Sequence, residues 1–155
     1  MGYVILRVEE KLANKILASA DDETREKIKV YNLRFFEDTN KNFLERYVNL
    51  LLQKIGVSMK LDGFEYLKRA IIILVEEPEK KERIYSYIAK EYNKSYANVN
   101  DCIRAARNKA YKNANPKLYE KIFRREYEKC KKMSQYEYLF NLVEYVNNNY
   151  ANYYK

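Results

Sequence analysis

The chain has 155 residues, of which only 3 are Gly and 2 are Pro, and it carries a formal net charge of +8. This length supports one domain with a real core plus a modest extension, and the scarcity of Gly and Pro favours a mostly helical fold. Because the sequence contains no His, it excludes a Ser-His-Asp triad, a Cys-His pair and any His-containing zinc site.

Cysteine content and hydropathy exclude further classes of protein. The 2 Cys residues cannot close a zinc site alone or form a disulfide framework, which predicts a reduced, intracellular protein. The N-terminal run YVILRV is followed at once by Glu9 and Glu10, unlike a signal peptide, and no segment approaches membrane-spanning length. We therefore expect a soluble, cytoplasmic protein without a cofactor, a metal ion, a membrane partner or a small-molecule substrate.

Residues 1–42 have the pattern of a helical extension. YVILRV predicts a short strand, VEEKLANKILASA a helix, and DDETREKIKVYNLRFF a second helix capped by Asp21 or Asp22. The two apolar stripes comprise Val8, Leu12, Ile16 and Leu17, and Ile28, Tyr31, Phe35 and Phe36. Such a helix pair either packs on the domain that follows or pairs with another copy of the chain to form a homodimer, and the sequence leaves both open.

Two helices are predicted between Lys41 and Pro78. FEYLKRAIIILVEE is apolar enough to be a buried central helix that ends at the step from Glu77 to Pro78. The helix before it, FLERYVNLLLQKI, is ended by Gly56 and followed by the connector SMKLDG. Its predicted core-facing stripe consists of Phe43, Tyr47, Leu50, Leu51 and Ile55.

The segment from Ile84 to Tyr111 predicts two helices joined by a tight turn. Asn93 occupies a turn position that needs positive φ, which Asn tolerates best after Gly, and Ser95 has the position of an N-cap. Small or apolar residues fall where the two helices would touch, namely at Ile88, Ala89, Tyr92, Val99 and Cys102. The spacing is that of a helix-turn-helix, although two short amphipathic helices with an Asn turn also occur widely in all-α proteins.

The outer face of the second helix carries side chains of the kinds that read base edges in DNA. In a helix-turn-helix this helix lies in the major groove. Spacings of three and four place on that face Tyr96, Ala97, Asn100, Asp101, Arg104 and Arg107.

Downstream of the helix-turn-helix, NANP predicts an end of the second helix at about Asn113, and Pro116 opens a short helix. The basic run FRREYEKCKK follows as a helix extension or a loop. A last helix is predicted from Ser134 to about Asn148, with YANYYK frayed behind it. Its inward residues are Tyr138, Leu139, Leu142, Val143 and Val146.

Several of these segments together resemble the C-terminal DNA-binding domain of stage-zero sporulation protein A, in the same order and at nearly the same spacing. IYSYIAKEYN followed by KSYANVNDCIRAARNKAY resembles its helix-turn-helix without a gap. The resemblance extends to LERYVNLLLQKIGV and GFEYLKRAI upstream, and to Leu118–Phe123 and SQYEYLFNLVEYV downstream. It implies an all-α, six-helix effector domain over residues 43–150, with residues 1–42 as an extra N-terminal helical element.

The resemblance also implies which residues contact bases and how the chain differs from the family. The family's base-contacting positions fall on Asn100, Asp101 and Arg104, to which the outer face adds Tyr96. The family has an acidic residue and then Arg at the first two positions, so only Arg104 is retained. Residues 1–42 are too short for the receiver domain of the full-length regulator, so control by receiver phosphorylation is not implied.

Positive charge is concentrated around the helix-turn-helix. Residues 80–132 contain 16 Lys and Arg against 6 Asp and Glu, whereas the rest of the chain contains 14 against 16. A local excess of this kind is typical of a surface that faces a phosphate backbone, although a solvated basic face has the same composition. The candidate phosphate contacts are Lys90, Lys94, Ser95, Arg107, Lys109, Lys112, Arg124 and Arg125.

These patterns predict a sequence-specific transcription regulator of the sporulation type that binds double-stranded DNA. One alternative keeps the fold but pairs with a related regulator and antagonises it without reading DNA, which the acidic Asp101 on the outer face favours. A second alternative, a metal-dependent nuclease, lacks support because no carboxylate cluster lies near the basic helix. The expectation is therefore a DNA-binding protein and not an enzyme.

Overall fold

The computed structural model describes residues 18–23 and 42–153, with side chains described as far as residue 150. Backbone contacts divide the chain into two compact units, Met1–Lys41 and Asn42–Lys155. Within the first unit, residues 18–19 and 22–23 are helical. The predicted strand YVILRV and both N-terminal apolar stripes lie outside the described residues, so the role of residues 1–42 and the domain boundary at residue 42 stay predictions.

The described residues of the second unit form helices and no strand, which confirms the all-α fold class. The sequence predicted six helices here. The structure has seven, because the run FRREYEKCKK contains an additional single-turn helix. The helices are α1 (described over 42–54), α2 (Asp62–Glu76), α3 (Ile84–Glu91), α4 (Tyr96–Asn113), α5 (Pro116–Phe123), α6 (Tyr127–Cys130) and α7 (Gln135–Tyr153), with a 3-10 segment at Pro78–Arg83.

Helix α2 is the buried centre of this unit, as predicted. Nine of its residues are buried, and it packs against α3, α4 and α7. It ends where the Glu77 N–H donates to the Ile73 carbonyl, immediately before Pro78. A proline there removes the next backbone donor and prevents the helix from continuing.

Helices α2 and α4 approach each other at Gly63. A Cβ atom added at Gly63 would lie 2.2 Å from the Cys102 carbonyl oxygen and 2.7 Å from the Ala106 Cβ. No side chain fits in that space. Because Gly63 has none, the backbones of α2 and α4 can come into contact. The buried Ala106 and Ala110 keep the same face of α4 small. The sequence indicated Gly63 only as the end of a connector, and the structure shows it to be a packing position.

The predicted core-facing stripe of α1 is right for Leu51 and Ile55, which are buried, and wrong for Leu50. Leu50 is 44% exposed, and Phe43 and Tyr47 are only partly buried. A shift of one position rotates the stripe by about 100°, so a run of several Leu residues leaves the inward face ambiguous. Gly56 ends the helix as predicted, with a φ of 89°. The buried residues are Leu44, Val48, Leu51, Leu52 and Ile55.

The C-terminal helices follow the predicted order. Helix α4 ends at Asn113, and α5 begins at Pro116 with the Asn115 side chain accepting from the Lys117 and Leu118 backbone N–H groups. The predicted end of the last helix near Asn148 is wrong, since α7 continues to Tyr153. Tyr150 packs against the core with its ring centroid 5.8 Å from that of Tyr47, which stabilises the extra turns.

No helix in the part of the chain that the structure describes is both long and apolar enough to cross a membrane.

Candidate nucleic-acid interface

Helices α3 and α4 are joined by the turn that the sequence predicted. Asn93 has a φ of 52°, and the Lys94 N–H donates to the Ala89 carbonyl at 2.8 Å. Ser95 is the N-cap of α4, with its hydroxyl oxygen accepting from the Asn98 N–H at 3.1 Å. The left-handed Asn and the Ser cap together fix the direction in which α4 leaves the turn.

Packing between the two helices also agrees with the predicted contact positions. Ile88, Ala89 and Val99 are buried, and Tyr92 and Cys102 are partly buried against the same core. A side chain larger than Ala at position 89 would separate the helices, since Ala89 is only 7% exposed. The pair is therefore a rigid helix-turn-helix and not two loosely connected helices.

One continuous stripe of α4 is open to solvent. Buried residues line the opposite side of the helix, at Val99, Ile103, Ala106 and Ala110. The helix has 18 residues and is about 27 Å long, and a major groove about 12 Å wide admits an α-helix. We call the open side the exposed stripe of α4, and it comprises Ala97, Asp101, Arg104, Ala105, Asn108 and Lys112.

Asp101 and Arg104 form an ion pair at the centre of the exposed stripe. The Arg104 Nη2 donates to the Asp101 Oδ1, and the two side chains are 57% and 61% exposed. The residues are three positions apart on the helix, where opposite charges meet. The positive charge that would face a DNA groove is thus neutralised within the free protein.

Three residues predicted for the same open face lie on a flank of α4 instead. Tyr96, Asn100 and Arg107 are contacted by residues 131–138, which we call the α7 clamp. The Tyr96 and Tyr136 hydroxyls share a hydrogen bond of 3.2 Å, and Arg107 donates to the Lys131 carbonyl at 3.4 Å. The predicted placement of all six side chains on one open face is therefore only partly right, while their contact with DNA stays a prediction.

Asn100 is held most closely by the clamp. Gln135, the first residue of α7, donates from its Nε2 to the Asn100 carbonyl at 2.9 Å and to the Asn100 Oδ1 at 3.0 Å. Sequence reasoning missed this contact because the partners are 35 residues apart, beyond any helical periodicity.

Aromatic packing supports the clamp from beneath. The Tyr85 ring is fully buried 4.8 Å from the Tyr136 ring, and its hydroxyl has no hydrogen-bond partner among the described residues. Burial raises the pKa of the Tyr85 hydroxyl, and the nearby Gln135 amide acts in the opposite direction. Burial and the Tyr96 hydroxyl raise the pKa of Tyr136 to about 12. The Tyr85 and Tyr136 hydroxyls therefore both keep their protons at neutral pH.

The predicted phosphate contacts differ in how free their charges are. Arg124 pairs with Glu144 at 3.2 Å, and Arg125 pairs with Glu137. The Ser95 hydroxyl oxygen is occupied by its cap. The candidates that are exposed and make no ion pair with any described residue are Lys90, Lys94, Lys109 and Lys112.

Glu137 ties the clamp to the basic segment before it. Ser134 and Glu137 form a capping box, in which the Ser134 Oγ accepts from the Glu137 N–H at 3.1 Å and the Ser134 N–H donates to Glu137 at 3.3 Å. The Arg125 guanidinium, with the Ser134 backbone, holds the pKa of Glu137 below its ordinary value. Glu137 thus stays ionised at the start of α7.

Comparison with known proteins agrees with this geometry. The family model described as Sporulation initiation factor Spo0A C terminal matches residues 48–150, from α1 through α7. None of the curated proteins gives a match. The matched region includes the whole helix-turn-helix and the clamp, which confirms the resemblance that the sequence motifs indicated. The chain belongs to the family of Spo0A C-terminal domains, which are sporulation-related DNA-binding effector domains.

Proposed function

We propose that this chain is a sequence-specific transcription regulator that inserts α4 into the major groove of double-stranded DNA. The observation that carries the proposal is the exposed stripe of α4, which presents Asp101, Arg104 and Asn108. The four exposed lysines before and after these residues in the chain make no ion pair with any described residue. A rigid helix that presents polar side chains along one open side is what direct readout of base edges requires.

Each part of the surface has a distinct role in this proposal. Arg104 pairs with guanine once it leaves Asp101, and Asp101 accepts from a cytosine amino group. The four lysines contact phosphates and supply affinity that does not depend on sequence. Two copies of the chain binding adjacent half-sites would form a homodimer on DNA, which the mass of the complex in solution tests.

A second function is favoured by the acidic side chain on the exposed stripe. Asp101 repels phosphate and neutralises Arg104 in the free protein. A surface of this kind also suits an antagonist that pairs with a related regulator and does not read DNA. Both functions use the same fold, so DNA selection distinguishes them.

The experiment is selection of bound sequences from a random pool of double-stranded DNA, followed by gel shifts on the selected and a scrambled site. The proposal predicts an enriched motif bound about 10³-fold or more tightly than the scrambled site. Lys60→Ala, which removes an exposed charge outside residues 80–132, is the matched control and keeps the motif. Failure to enrich any sequence overturns the proposal and favours the antagonist.

A further inference from the structure

The α7 clamp begins with two exposed lysines, Lys131 and Lys132. Neither makes an ion pair with any residue that the structure describes, whereas the preceding Lys129 pairs with Glu126 at 3.1 Å. The start of the clamp therefore carries two positive charges that no described carboxylate neutralises.

Buried side chains hold these two lysines in place. Cys130 before them and Met133 after them are 2% and 3% exposed, so the lysines form the tip of a turn that is anchored at both ends. Within the turn, the Lys132 N–H donates to the Lys129 carbonyl and the Met133 N–H donates to the Cys130 carbonyl, both at 3.2 Å. The two charges are thus carried on a backbone of fixed shape.

Arg107 joins this turn to one flank of α4. Its guanidinium donates to the Lys131 carbonyl at 3.4 Å and lies over the ring of the buried Tyr138, 5.7 Å from the centroid. Because Arg107 is itself a flank residue of α4, the turn lies directly beside the exposed stripe.

Lys109 lies on the opposite flank of α4. Each residue of an α-helix turns about 100° around the axis, so Lys109, two positions after Arg107, is about 200° away from it. Asn108, on the exposed stripe, falls midway between them. Lys109 is exposed and makes no ion pair with any described residue. The exposed stripe therefore has Lys109 on one side and the Lys131–Lys132 turn on the other.

A major groove has room for one helix between its two strands. The groove is about 12 Å wide, and an α-helix with its side chains is about 10–12 Å in diameter. An element that packs against the flank of a helix in the groove must therefore lie over the sugar-phosphate backbone at the edge. Each edge of the groove belongs to a different strand.

We propose that the two flanks of α4 contact different DNA strands, with Lys131 and Lys132 binding phosphates of one strand and Lys109 binding a phosphate of the other. The inference rests on the proposed function, since it requires α4 to lie in the major groove. Such contacts fix the register and orientation of α4 on the duplex and carry no sequence information directly. The α7 clamp is then a phosphate-binding surface as well as a support for α4.

The test uses the full-length protein and a duplex that carries one selected half-site. Uncharged methylphosphonates replace the phosphates of either strand one at a time, and the affinity with and without each replacement is measured. The variants are Lys131→Gln with Lys132→Gln, and Lys109→Gln. Lys54→Gln with Lys60→Gln, at exposed positions outside residues 80–132, is the control for the loss of two charges.

The wild type should lose affinity through replacements on both strands. The variant that lacks Lys131 and Lys132 should become insensitive to replacements on one strand, and Lys109→Gln should become insensitive on the other. Loss of two contacts, each contributing about 0.9, should also make the salt slope of the first variant shallower by about 1.8, with the selected motif unchanged. Lys131→Arg with Lys132→Arg keeps both charges and should restore the slope and the sensitivity.

Any of three outcomes overturns this inference alone. The first is a variant lacking Lys131 and Lys132 whose sensitivity and salt slope match those of the Lys54 and Lys60 control. The second is loss of sensitivity on the same strand in this variant and in Lys109→Gln, and the third is a wild type or Lys109→Gln with the wrong strand pattern. Circular dichroism melting shows which variants are folded, and the single substitutions Lys131→Gln and Lys132→Gln decide if the double variant is not. A wild type that selects no motif instead refutes the proposed function, and the inference falls with it.

Discussion

The Arg104 guanidinium bonds to the Asp101 carboxylate on the exposed stripe of α4, so the arginine that we propose for base contact is occupied in the free protein. Both side chains are more than half exposed, and an exposed pair of this kind stabilises a protein by only about 0–1 kcal/mol. Contact with DNA can therefore separate the pair at little cost.

Replacing Asp101 should strengthen general DNA binding. Asp101→Asn keeps the shape of the side chain, removes its repulsion of phosphate and frees Arg104, which should raise affinity for a random-sequence duplex about 5-fold. Asp101→Arg should raise it further and move the selected motif towards the family's own site. Glu45→Gln, an exposed change on α1, serves as the control for net charge in fluorescence anisotropy titrations. Equal affinity of Asp101→Asn and wild type would show that Asp101 does not face DNA.

The close approach of α2 to α4 makes Gly63 intolerant of any side chain. Gly63→Ala would place Cβ 2.2 Å from the Cys102 carbonyl and force the helices apart, at a cost of about 3 kcal/mol or more. Gly56→Ala is the comparison, because its Cβ would lie 3.0 Å from the Ala110 carbonyl and its positive φ costs about 1–2 kcal/mol. Denaturant midpoints should thus fall in the order wild type, Gly56→Ala, Gly63→Ala. An unchanged midpoint for Gly63→Ala would contradict this packing.

Salt dependence should separate the free lysines from the paired arginines. Several phosphate contacts predict a linear plot of the logarithm of the DNA association constant against the logarithm of salt concentration. Its slope should be about −3 to −6. Neutralising any of Lys90, Lys94, Lys109 or Lys112 should make the slope shallower by about 0.9, for specific and scrambled DNA alike. Arg125→Ala should change it less, since Arg125 already pairs with Glu137. A slope near zero in the wild type would rule out these phosphate contacts.

Acid should weaken the start of α7. The pKa of Glu137 is lowered from its ordinary value of 4.5, mainly by the Arg125 hydrogen bond, so its contribution to stability is complete above that value and is lost as pH falls through the folded-state pKa. Glu137→Gln should lower stability at pH 7 and flatten its decline below about pH 4.5. Glu128→Gln, which changes an exposed carboxylate on α6, should keep the wild-type pH profile in urea denaturation. The same acid dependence in Glu137→Gln and wild type would exclude this linkage.

Local chemistry explains why the turn and the caps could be predicted from the sequence. Asn93 and Ser95 act on their own backbone within a few residues, and the Glu77–Pro78 step ends α2 for the same local reason. The inward face of α1 could not be chosen because consecutive Leu residues satisfy more than one helical stripe.

Contacts between distant parts of the chain explain what the sequence missed. The need for Gly at position 63 comes from the Cys102 carbonyl on another helix. The Gln135 contact likewise joins α7 to Asn100 across 35 residues. Periodicity within one helix contains no information on either, so the sequence could not show that Tyr96, Asn100 and Arg107 lie beside the exposed stripe of α4 and not on it.

The most direct measurement of the central claim is the base preference of Arg104→Ala, compared with wild type by competition on the selected site and its single-base variants. Direct readout by α4 predicts that preference at one guanine is lost, at about 1–3 kcal/mol of discrimination, while preference elsewhere persists. Arg104→Ala that binds with the wild-type preference at every position would contradict the account.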